Sequence, residues 1–105
     1  AQVTQYQRHA MTALVAALAP YTHLILCGDL NAPRGGEIFS YLSDRYTDHI
    51  PAAVTTSIDP VLHRAGPLEL MVDGLFSTPE YTVSQVQLHT GVSDHQAITA
   101  CVTRT

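Results

Sequence analysis

Residues 27–31 read Cys27-Gly28-Asp29-Leu30-Asn31. They follow the apolar run Leu24-Ile25-Leu26 and lead into a loop holding Pro33, Gly35 and Gly36. A buried strand thus delivers a carboxylate and a carboxamide to the end of a sheet, and neither side chain belongs unpaired in an apolar core. Two later stretches share this design. Leu70-Met71-Val72-Asp73-Gly74-Leu75-Phe76 sets an acid in an apolar strand. Gly91-Val92-Ser93-Asp94-His95-Gln96-Ala97-Ile98 sets an acid and a histidine beside another.

Working outward, the four apolar residues Leu24 to Cys27 do not alternate, which predicts a strand over 22–27 buried on both faces. Before it, Val3, Tyr6, Ala10, Leu14 and Leu18 recur at spacings of three and four, which predicts a helix over 2–19 with these residues on one face. Gln2, Gln5, Arg8 and Thr12 fall largely off that face, Pro20 stops the helix, and no strong N-cap precedes it. After the Gly/Pro loop comes a short helix, about 37–43, turning Ile38, Tyr41 and Leu42 inward, with Glu37 suiting its N-terminal dipole. Residues 49–67 hold Pro51, Pro60 and Pro67 and read as a long irregular loop with a short strand near 54–57; a loop of that length is usually functional or a lid. Strands follow over 69–77, 81–88 and 95–103. The fold class is α/β in the broad sense, α+β in detail: one mostly antiparallel sheet with helices on one face. The other face of that sheet is left apolar and open.

Composition narrows the function. The chain has 105 residues, 46% hydrophobic and 13% charged, with a net charge of −4. Its five basic residues are all arginine, so it lacks the basic stripe of a nucleic-acid-binding face. The low charge points to some surface being normally covered. No apolar run reaches the ~20 residues of a transmembrane helix, and residues 1–20 lack the order of a signal peptide. Cys27 and Cys101 lie in apolar strands and read as buried reduced thiols. The remaining histidines have no metal-ligand spacing, which argues against a structural zinc site.

Asp29 and Asn31, two apart on an extended backbone, point to the same side. Together they offer hard oxygen donors to a magnesium-type cation, or else they cap their own turn. Asp94 and His95 serve one site only if Asp94 is still in the loop; the alternative is a capped turn beside a surface histidine. Ser93, adjacent to both, cannot complete a serine triad. Asp73 either lies solvated at a strand end or pairs with a histidine to orient it and support its charged form. His63 and Arg64 read as solvated residues of the long loop, with contact to a ligand as the lesser alternative, and Arg34 offers a guanidinium that could meet a phosphate.

Taken together and in this order, Gly-Asp-Leu-Asn, Met-Val-Asp-Gly-Leu-Phe and Gly-Val-Ser-Asp-His-Gln-Ala-Ile resemble the C-terminal half of the endonuclease/exonuclease/phosphatase superfamily, the deoxyribonuclease-I-like fold. The resemblance runs over almost the whole chain, including the opening helix with Gln7 and Arg8. It implies half of a four-layer α/β/β/α sandwich and divalent-metal-dependent phosphodiester hydrolysis with magnesium, or manganese in its place. Under the resemblance, Asp29 positions or activates the attacking water. Asn31 bonds a phosphate oxygen, holds Asp29 and, with Asp29 and Asp94, serves the metal. His95 contacts the phosphate and stabilises developing charge, and Asp73 orients His95. Nucleic acid, phospholipid and inositol-phosphate substrates all occur in the superfamily.

The family's N-terminal half, with a metal-binding Glu, an Asn and usually another His, has no counterpart in these residues. Glu37, Glu69 and Glu80 are not placed to replace that Glu. The resemblance therefore implies a fragment carrying half a site, inactive alone, completed by a missing N-terminal half or a partner chain, or self-associating through its open sheet. The alternative is a non-catalytic binding or structural module of the same fold.

Overall fold

The computed structural model describes residues 3–105, so the predicted helical position of Gln2 lies outside the described residues. Helix α1, Gln5–Leu18, is closed at its start by a capping box. The Thr4 hydroxyl accepts from the Gln7 amide at 3.1 Å, and the Gln7 side chain accepts from the Thr4 amide at 2.9 Å. Thr-x-x-Gln is the sequence signature of this device, so the expectation of no strong N-cap is corrected. The buried face is also rotated from the expected one. Met11 is buried, with Val3, Leu14, Val15 and Leu18 packed around it, whereas Tyr6 is 90% exposed. Steps of four overshoot a full turn of the helix by about 40°, so the line through Tyr6, Ala10, Leu14 and Leu18 drifts around the helix: Tyr6 and Ala10 are exposed, and only Leu14 and Leu18 reach the core.

Helix α2, Glu37–Ser43, forms where expected and buries Ile38, Phe39 and Leu42. An Arg8–Glu37 ion pair at 2.7 Å joins the two helices on their solvent side.

The chain is an α+β fold with two small antiparallel sheets rather than one continuous sheet. In the first, β3 (Asp73–Ser77) lies between β1 (Ile25–Asp29) and the two-residue β2 (Thr47–Asp48). The second is a hairpin of β4 (Tyr81–His89) and β5 (Ala97–Arg104), with a bulge between Ser84 and Gln87. Strand alternation on β3 explains the division. Phe76 faces the helices in a core with Met11, Ala32, Ile38, Phe39 and Leu42. Leu75 points the other way, into a second core with Ile50 and Met71, and there the hairpin supplies Val83, Val86, Leu88 and Ile98. The hairpin is joined to β3 by side-chain packing rather than by a shared strand ladder.

That packing stops at β3 and does not extend over β1. Leu26 pairs across from Phe76 and joins the helix-side core, but Ile25 and Cys27 are exposed on the opposite face. β1 is therefore not buried on both faces. The expectation of buried thiols fails for the same reason: Cys27 and Cys101 are both exposed and free.

Gly74 is required by its neighbours. A β-carbon built there would collide with the ring of Phe76, which packs at a tilt against Phe39 with ring centroids 5.4 Å apart. Gly74→Ala is expected to destabilise the fold by about 1–3 kcal/mol, the usual cost of overpacking a core. Urea titration of the variant against the parent checks this, and an unchanged midpoint would contradict it.

The 49–72 segment is a strut rather than a lid. Arg34 donates to the carbonyls of Ile50 (3.1 Å), Pro51 (3.4 Å) and Val54. Thr56 Oγ1 donates to the Leu68 carbonyl at 2.6 Å. In place of a short strand at 54–57, a single bridge pairs Ile58 with His95. Among the described residues, no helix is long and apolar enough to cross a membrane.

Candidate functional site

The β1–β3 register builds the site. Gly28 pairs with Gly74 and Asp29 with Asp73, so the two acids sit directly opposite each other at the end of the ladder. Residues paired across an antiparallel ladder share a face. Asp29 and Asp73 therefore both lie on the Leu75 face, the one turned from the helices. His95, in the approach to β5, reaches between them. Its Nδ1 lies 2.7 Å from Asp73 Oδ2, and its Nε2 lies 3.5 Å from Asp29 Oδ2. Among the described residues, one donor atom from each of the three lies within 4.8 Å of the others.

The two carboxylates differ in environment. Asp73 is buried, its backbone amide is held by Ser57 Oγ at 3.2 Å, and its carboxylate is engaged by the imidazole. Asp29 is exposed at the strand end. One of its oxygens accepts the Asn31 amide at 2.7 Å, closing an Asx turn with Asn31 at a φ of 51°. Asn tolerates that left-handed conformation better than most residues. The other oxygen of Asp29 is the one turned to His95.

His95 has its pKa raised above 6.5. The hydrogen bond that His95 Nδ1–H donates to Asp73 is the largest cause; burial opposes it, and the charges of Asp73, Asp29 and Asp94 add to the rise. Asp73 thereby favours the imidazolium and fixes Nδ1 as the nitrogen facing inward. Nε2 is left pointing toward Asp29 as a charged donor. An imidazolium held by one carboxylate and facing a second, exposed one can bind an anionic oxygen and stabilise charge growing on it.

Of the five residues expected from the sequence, Asp29, Asp73 and His95 come together. Asn31 joins through its backbone. Asp94 contributes charge near His95, but its carboxylate is not part of the three-residue cluster. Asp94 is exposed, and its carbonyl accepts the Asp59 amide at 2.9 Å. Arg34 is not directed at a substrate phosphate, since its guanidinium is spent on three loop carbonyls.

Two residues escaped the sequence reading. Ser57 Oγ accepts the amides of both Val72 (3.1 Å) and Asp73 (3.2 Å). Asp59 is 1% exposed and accepts the amides of Val61, Leu62 and Gly91. Those bonds hold its carboxyl below the usual carboxylate range, with the Gly91 amide the largest cause and burial opposing. The signal available in the sequence was Asp59-Pro60, a pair that initiates turns.

Comparison of the chain with protein-family models, with curated proteins and with solved structures finds no match.

Proposed function

We propose that this chain contributes Asp29, Asn31, Asp73, Asp94 and His95 to the active site of a divalent-metal-dependent phosphoesterase. The observation that carries the reading is the carboxylate–imidazole–carboxylate line, with His95 bonded to buried Asp73 and facing exposed Asp29. Hydrolysis of a phosphodiester needs an oriented water and positive charge beside the phosphoryl oxygens. In this reading Asp29 orients the water, and His95, held by Asp73, donates through Nε2 to a phosphoryl oxygen.

The donor set fits a hard cation in part. Asp29 has one oxygen beyond its turn bond, and Asn31 and Asp94 add oxygen donors at exposed positions. Asp73 is excluded from that set, because a metal cage made of Asp29, Asp73 and His95 would break the Asp73–His95 bond. Magnesium or manganese held by Asp29, Asn31 and Asp94 would supply Lewis-acid neutralisation of phosphoryl oxygens. The exposed Ile25 and Cys27 face of β1 supports a further layer, from the rest of the protein or a partner chain, that completes the site. The same face, on a chain without turnover, would fit a binding module.

The deciding experiment assays the full protein on a chromogenic phosphodiester and on nucleic-acid, phospholipid and inositol-phosphate substrates, with magnesium or manganese. Turnover that a chelator abolishes and magnesium restores is the expected result. No turnover on any of these substrates with either metal would reject the enzyme reading in favour of the binding module.

A further inference from the structure

We propose that Asp59 is the positioning residue of this site: its buried carboxylate clamps Gly91 and thereby fixes the 91–95 loop that carries Asp94 and His95. Residues 89–94 are exposed, so apolar burial does not hold that loop in place. Polar ties do, and they converge on residues 57–59. Asp59 Oδ2 accepts the Gly91 amide at 2.8 Å, while Oδ1 accepts the amides of Val61 (2.8 Å) and Leu62 (2.9 Å). The Asp59 amide donates back to the Asp94 carbonyl at 2.9 Å. The loop is therefore gripped at both ends, at Gly91 by the side chain and at Asp94 by the backbone of the same residue.

The adjoining residues extend the grip. Gln96 donates its amide to the Ser57 carbonyl at 2.7 Å and its side chain to the Ile58 carbonyl at 3.0 Å. Ser57 Oγ in turn receives the amide of Asp73. One short segment thus touches the chain on both sides of the Asp73–His95 hydrogen bond. Asp59 is a buried carboxylate whose three bonds to backbone amides compensate its desolvation. Gly91 meets it at a φ of 84°, a conformation that glycine adopts without strain. The importance of this clamp to hydrolysis rests on the phosphoesterase reading, but its effect on His95 does not.

Asp59→Asn isolates the clamp. The amide keeps one oxygen for Val61 and Leu62 and turns an NH2 toward the Gly91 amide, setting donor against donor. The readout is the downfield proton resonance of His95 Nδ1–H, bonded to Asp73, in the full protein. That resonance is expected to be lost in Asp59→Asn and kept in Leu42→Ala, which loosens the helix-side core without touching the clamp. A folded Asp59→Asn protein with the resonance unchanged would overturn the proposal.

Should Asp59→Asn not fold, amide exchange in the unaltered protein decides. The Gly91 amide is expected to exchange on the order of 10²-fold more slowly than a free amide, and exchange at the free rate would overturn the clamp. If the protein hydrolyses no phosphodiester yet His95 behaves as described, the phosphoesterase reading fails and the positioning role stands.

Discussion

Asp29→Ala is expected to lower phosphodiester hydrolysis by the full protein on the order of 10³-fold, within the range by which single positioned acid–base groups accelerate proton transfer. The fold should survive, because Asp29 is exposed at a strand end and its side chain supports only the Asn31 turn. The loss should therefore fall on turnover and leave the thermal midpoint within a few degrees of the parent. The variant removes the carboxylate facing His95 and one expected oxygen donor to the metal. Restoring full rate by raising magnesium alone would confine Asp29 to metal binding. Near-normal turnover at the parent's own magnesium concentration would remove it from the site altogether.

Asp73→Asn acts through His95 and leaves a different signature. The amide is nearly isosteric but carries no charge, and it offers the imidazole either an oxygen or an NH2. Where a buried carboxylate orients a catalytic histidine, this change has cost about 10⁴-fold in turnover, and a loss of 10²–10⁴-fold is expected for this site. Metal affinity should be nearly unchanged, since Asp73 is committed to His95 rather than to the oxygen donors.

The pH dependence follows with its sign. His95 is raised above 6.5, chiefly by Asp73, so activity that needs the imidazolium persists past that pH and falls as pH rises through the elevated value. Without the Asp73 charge the alkaline limb moves toward lower pH. The stability linkage runs the same way. The pair's contribution is complete below the unfolded value of 6.5 and is lost as pH rises through the folded one. A pH–rate profile of Asp73→Asn that overlays the parent's would refute this role.

Most of the element order was legible because it rests on local pattern. The 3.6-residue period of α1, the compact apolar α2 and the β-branched run of β4 each encode their own structure, and Pro20 and the Gly/Pro loop punctuate them. The acids at the ends of β1 and β3 were legible because charge in an apolar run is conspicuous. The buried face of α1 was harder, since its rotation depends on what Met11 meets across the core. The division into two sheets was hidden as well. It follows from Leu75 packing against the hairpin, a contact between residues whose patterns equally suit a continuous ladder. In sequence, Asp59 is one more loop acid beside a proline. Its importance lies in the Gly91 amide, 32 residues away, and no local period reports such a contact.

The register that sets Asp29 opposite Asp73 has a consequence for biosynthesis. The acids lie on strands separated by α2, β2 and a long irregular segment, and the imidazole arrives in the approach to β5, beyond both. A nascent chain carries no partial version of the centre: until residue 95 has left the ribosome, the two carboxylates have no cation from histidine between them. A one-residue slip of β1 along β3 during pairing would turn its carboxylate toward the helices. Chains caught in that misalignment would be compact but would lack the Asp73–His95–Asp29 line, so the yield of correctly assembled molecules depends on how faithfully two strands find their pairing before the last one docks.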